Sequence, residues 1–108
     1  MAELEPEPPT VEVDMHQDAA GVQVVGLSGE LDCSNAPSLQ ERLASIPPQP
    51  GEPLVFDLAG LRFMDSAGIA VLIGTTTRAS SVSLRNPSPV IRRVLQATGL
   101  SDVFSIES

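Results

Sequence analysis

Lysine, tryptophan and tyrosine are absent from this chain of 108 residues, and cysteine and histidine occur once each. Without the two large polar aromatics, and with only three phenylalanines, a core has to be built from aliphatic side chains. The single cysteine, Cys33, excludes an intrachain disulfide framework and fits a reducing compartment. All six basic residues are arginine; 14 acidic residues bring the formal net charge to −8. A phosphate backbone repels such a surface, which argues against a nucleic-acid partner, and anionic membranes are disfavoured for the same reason. No apolar run approaches the roughly 20 residues that span a bilayer. The start, MAELEPEPPT, has neither the basic nor the apolar part of a signal peptide. A soluble, cytoplasmic protein without membrane insertion is expected. Its acidity has two readings that composition does not separate: solubility alone, or steering towards a basic protein partner. No metal-ligand spacing and no Gly-rich phosphate loop occurs, so no cofactor is expected.

What is present suits one small domain, because 42% hydrophobic residues are enough for a single core. Residues 1–9 are acidic and proline-rich and read as a loose tail, leaving 10–108 as the domain. Val11, Val13 and Met15 alternate with Glu12, Asp14 and His16, the period of a strand. A turn at Gln17–Gly21 leads to a second strand through Val22, Val24, Val25 and Leu27, paired antiparallel with the first. Ser34 or Asn35 can cap a helix with Pro37 in its first turn and Ala36, Leu39, Leu43 and Ile46 on its inner face. Pro47, Pro48 and Pro50 end it. Leu54-Val55-Phe56 reads as a short buried strand ending near Asp57.

A second helix is expected from Ala67 to about Thr76, apolar nearly all round and therefore mostly buried. Val82 and Leu84 mark a further strand. Ser88-Pro89 opens a third helix with Ile91, Val94, Leu95 and Thr98 inward, Arg92 and Arg93 solvated, and Gly99 as its stop. Val103 to Ile106 adds a short last element. This order predicts an α/β fold: a mixed sheet with an N-terminal antiparallel hairpin and then parallel βαβ units.

The stretch FMDSAGI, residues 63–69, interrupts the most core-like region with an acid and a hydroxyl. It lies beyond a strand and opens a helix, where functional groups gather in open α/β sheets. Asp65 or Ser66 can simply cap that helix. Serine hydrolysis lacks partners: the residues are MDSAG rather than G-x-S-x-G, His16 sits on the hairpin, and no lysine exists to replace it. Cys33 lacks a base and reads as a plain buried or half-buried thiol. An enzyme is therefore not expected. A phosphoryl group on Ser66 is the other possibility. It adds about −1.5 to −2 charges where free helix N–H groups tolerate them. Two unit charges 4 Å apart are worth about 4 kcal/mol at an effective dielectric of 20, and each 1.4 kcal/mol is about tenfold in affinity. A docked partner would be expelled while the fold survived.

Four stretches resemble the STAS domain family, the anti-sigma factor antagonists of bacteria: VVGLSGELD (24–32), LVFDLAGLRFMDSAGIAVL (54–72), LRNPSPVIRRVLQATGL (84–100) and the DVF that follows. The resemblance runs from about Val11 to Ser105. It implies a STAS-like mixed β-sheet with helices mainly on one face. It also implies Ser66 as phosphoacceptor, an anti-sigma factor that is also a serine kinase as partner, and a PP2C-type phosphatase that restores binding. The unphosphorylated form would bind the anti-sigma factor and release the sigma factor. Asp65 matches the acid beside the acceptor, and Asp32 a family acid near the same surface. The partner surface implied is Asp32, Met64, Asp65, Ser66, Ala67, Gly68 and Ile69. The chain departs from the family in a short second helix and at Ala67, where many relatives carry Ser or Thr, so Ser66 is the less ambiguous acceptor. Family members also serve as constitutive subunits of larger assemblies, as stressosome-like scaffolds or transporter accessory subunits, and this second reading stays open.

Overall fold

The computed structural model describes residues 10–45, 52–77, 79–100 and 103–107. The expected tail and the segment containing Ile46, Pro47, Pro48 and Pro50 lie outside them. In chain order the elements are β1 (Val11–Gln17), β2 (Gln23–Leu31), α1 (Ala36–Ser45), β3 (Leu54–Met64), α2 (Ser66–Thr75), β4 (Val82–Arg85), α3 (Pro89–Ala97) and β5 (Ser105–Glu107).

The hairpin forms where the alternation placed it. β1 runs antiparallel to β2 from Val11 opposite Gly29 to Gln17 opposite Gln23. Its turn is closed by Asp18, whose Oδ1 accepts the amides of Ala20 (2.9 Å) and Val22 (3.0 Å). From β2 onwards every pairing is parallel, and the sheet order is simply β1-β2-β3-β4-β5. Each right-handed crossover therefore steps the same way across the sheet and lays its helix on the same face. On that face Val25, Leu27, Leu31, Phe56, Leu58, Leu61, Met64 and Leu84 meet Ala36, Leu39, Leu43, Leu72, Ile91 and Leu95. The core is aliphatic, with Phe56 and Phe104 as its buried aromatics. Each large side chain buried there is worth about 1.5–3 kcal/mol over exposure.

Several expectations are corrected. β3 has 11 residues and ends at Met64, not near Asp57. Its pairing with β2 slips twice: Gly26 and Ser28 face Asp57 and Gly60, then Gly29 and Glu30 face Leu61 and Phe63. Each slip inserts one extra residue into β3, as a bulge does. Leu58, Leu61 and Met64 are consequently buried at intervals of three, which hides the strand's period of two. β2 likewise continues through Gly29-Glu30-Leu31. In α2, Ile73 is 39% exposed, so one side of this apolar helix faces solvent. Thr98 does not line the inner face of α3. It is exposed, and its hydroxyl donates to the carbonyls of Val94 (2.8 Å) and Leu95 (3.2 Å), after which Gly99, at φ +73°, turns the chain away. Arg92 is half-buried rather than fully solvated.

Candidate functional site

β3 delivers FMDSAGI to the carboxyl end of the sheet. Met64, its last residue, is buried in the core. Asp65 then leaves the strand with an extended backbone (φ −102°, ψ −172°) and caps α2. Its Oδ1 accepts the amides of Ala67 (2.9 Å) and Gly68 (3.3 Å), two of the donors that a helix start leaves unpaired. Ser66 follows as the first residue of the helix and is exposed. Among the described residues its hydroxyl has no hydrogen-bond partner. Of the two capping candidates, then, the aspartate caps and the serine stays free.

The neighbouring loop is fastened to this one. The Asp65 N–H donates to the carbonyl of Leu31 (3.2 Å), and the Cys33 N–H donates to Asp65 Oδ2 (3.1 Å). The β2–α1 turn is also tied to itself. Asp32 Oδ1 accepts from the Ser34 hydroxyl (2.6 Å) and N–H (2.9 Å). Asn35 accepts from the Asp32 N–H (2.9 Å) and donates to the Glu30 carbonyl (2.8 Å). The Ser34 hydroxyl, then its amide, hold the Asp32 carboxyl below the usual aspartate range.

Gly68 explains how close the parts stand. A Cβ there would meet Leu31 Cγ at 2.7 Å and Met64 Cγ at 2.8 Å. The helix start can press onto the β2 and β3 ends only where a side chain is missing.

Asp32, Asp65, Ser66 and Ala67 reach the surface of this crest, whereas Met64, Gly68 and Ile69 are buried. Met64, Gly68 and Ile69, placed on the partner surface by the resemblance, lie beneath the crest in this chain, because strand and helix periods turn them into the core. Two neighbours were missed from sequence. Phe63, 45% exposed, stands two residues before Asp65. Cys33, read as a buried or half-buried thiol, is instead exposed on the β2–α1 turn; it contributes its backbone amide, and no side-chain pattern announces an amide.

His16 pairs with Asp14 at 3.3 Å. It lies opposite Val24, which faces Val55 at the start of β3, so it sits at the end of the sheet away from Ser66. A concavity of about 270 Å³ opens on the helix-free face, lined by residues that include Glu12, Asp14, Gly26, Asp57 and Gly60. Among the described residues no cluster of His, Cys, Asp and Glu could hold a metal ion. No helix there is long and apolar enough to cross a membrane.

A one-sided mixed sheet, with a free serine on a capped helix start at its strand ends, defines a small α/β domain built to present a crest. The chain belongs to the STAS domain family, whose profile matches residues 12–108. It is 33% identical over 102 residues to the anti-sigma-B factor antagonist of Bacillus subtilis, covering 91% of this chain and 92% of that one. The crystal structure of an anti-sigma factor antagonist from Mycobacterium paratuberculosis superposes with a TM-score of 0.80 at 28% identity, covering 91% of this chain and 86% of the other. The anti-sigma factor antagonist SpoIIAA in its unphosphorylated form shares the fold, with a TM-score of 0.71 at 23% identity over 90% of this chain and 89% of its own.

Proposed function

We propose that the chain is an anti-sigma factor antagonist of the bacterial cytoplasm whose binding is switched by phosphorylation of Ser66. The observation that carries this reading is the division of labour at α2: Asp65 satisfies the helix start, so the exposed Ser66 hydroxyl is free to be modified. Two further facts support it, the family match and the names of the relatives.

In this reading the unphosphorylated crest docks on an anti-sigma factor that is also a serine kinase, and the sigma factor is released. Ser66 attacks the terminal phosphate of the kinase's ATP; ADP leaves, and the hydroxyl proton passes to a base of the kinase. The phosphoryl group then stands at a helix N-terminus that tolerates it, next to Asp65, and its bulk and added charge expel the docked partner. A PP2C-type phosphatase resets the module. The chain binds and is modified, and does no chemistry of its own.

The test is mass spectrometry of the chain co-purified with native partners, before and after ATP. One phosphoryl group, on Ser66, with loss of the captured protein is expected. A complex that survives ATP with Ser66 unmodified would sink the switch and point to a constitutive subunit.

A further inference from the structure

We infer that Asp65 is a positioning residue that couples the Ser66 helix start to the β2–α1 turn, so that charge placed on Ser66 is felt on both loops. This rests on the reading of Ser66 as phosphoacceptor and names how the modification spreads. One carboxylate serves two loops. Oδ1 holds the Ala67 and Gly68 amides of α2, and Oδ2 holds the Cys33 amide, 32 positions away in sequence. The turn on the far side is braced by Ser34 and Asn35, so Asp32, Cys33 and Ser34 move as a unit when that link is lost.

A phosphoryl group on Ser66 stands one residue from this carboxylate. Its oxygens are acceptors for the same α2 amides that Oδ1 occupies, and its charge of about −1.5 to −2 repels Asp65. Two anions then compete for one pair of donors. As the Asp65 side chain yields, Oδ2 draws away from Cys33. A partner that reads Asp32 and Ser66 together then meets a crest whose side-chain link is broken, its loops joined only by the backbone bond from the Asp65 N–H to the Leu31 carbonyl.

The test uses the full chain and amide hydrogen exchange by NMR. Asp65→Asn keeps one oxygen to cap α2, since asparagine caps nearly as well, and has no second acceptor for Cys33. Exchange at the Cys33 amide should rise about tenfold or more, the effect of losing a hydrogen bond to a charged group, while the Ile69 to Leu72 amides stay as protected as before. If this variant loosens α2 as well, Asp65→Ser decides, because its single hydroxyl caps the helix and cannot span to Cys33. The chain carrying phosphoserine at position 66 should show the same release of Cys33. A Cys33 amide unchanged in either aspartate variant that keeps α2 intact, or unchanged in the phosphoserine chain, overturns the coupling. Capture of the partner by the phosphoserine chain is scored separately. Retained binding there refutes the switch, whatever Cys33 does.

Discussion

Two helices of this domain start at the carboxyl end of a parallel strand with a serine at the start, and they use it differently. At α3, Ser88 is itself the cap: its hydroxyl accepts the Ile91 amide at 3.3 Å, and Pro89 takes the first helical position. At α2 the capping is done by Asp65, and Ser66 sits one residue later in the first helical position, exposed. The third helical positions differ as well. Ile91 fills the core under α3, fully buried, while Gly68 leaves room for Leu31 and Met64 under α2. A hydroxyl engaged with a helix N–H is a structural group. Shifted by one residue behind an aspartate, it becomes available for modification.

The widest separation between the two starts is expected in partner binding. Ser66→Asp should weaken the complex with the proposed partner by at least about tenfold, and by up to roughly a thousandfold if a unit charge acts at 4 Å with an effective dielectric of 20. Ser88→Asp should leave affinity unchanged, since aspartate caps as well as serine. Titration calorimetry on both variants checks this, and equal losses would erase the distinction between the two serines.

Packing beneath the helix starts comes next. Ile91→Ala should cost about 2–5 kcal/mol, as removal of a fully buried aliphatic side chain does. Gly68→Ala adds a methyl group where Leu31 and Met64 already stand, at a cost of about 1–3 kcal/mol, offset by up to about 1 kcal/mol of helix propensity. Urea denaturation at unchanged slope reads both. A stabilised Gly68→Ala would mean that the neighbours give way and that the close approach is not required.

The capping difference itself is smaller. Ser88→Ala should destabilise by about 1 kcal/mol, and Ser66→Ala by less than about 0.5 kcal/mol, as for an exposed side chain without a partner. Thermal unfolding of the pair would contradict the assignment of caps if Ser66→Ala were the more damaging.

The α3 start was legible in sequence because everything that makes it is local: Ser88, Pro89 and the inward Ile91 lie within four residues. The α2 start was legible in outline only. Asp65 and Ser66 are both good caps, and the choice between them is settled by Cys33 and Leu31, which lie more than 30 residues earlier and lend the aspartate its further bonds. The hairpin and the order of elements followed from periodicity. The length of β3 did not, because two bulges space Leu58, Leu61 and Met64 by three and erase the alternation. Which residues of FMDSAGI reach the surface was not legible from the contiguous motif, because the stretch passes from strand to helix: Phe63 and Ser66 are exposed while Met64, Gly68 and Ile69 lie in the core.

The finest test of the crest is its dependence on pH. Asp32 has a folded pKa depressed by Ser34, hydroxyl first and amide second. A depressed carboxylate contributes stability that is present above its unfolded value, about 3.9, and is lost as pH falls through the folded value. Protonation below that range removes the charge that strengthens the bonds from Ser34, so the β2–α1 turn should loosen at acid pH while the α3 start, capped by a neutral hydroxyl, stays indifferent. Ser34→Ala removes the stronger of the two bonds. It should raise the Asp32 pKa towards the ordinary aspartate value in an NMR titration, and the Ser88 environment should not move. An Asp32 titration unaltered by Ser34→Ala would show that the hydroxyl does not hold the carboxylate, and the turn's rigidity would then rest on Asn35 and on the link from Cys33 to Asp65.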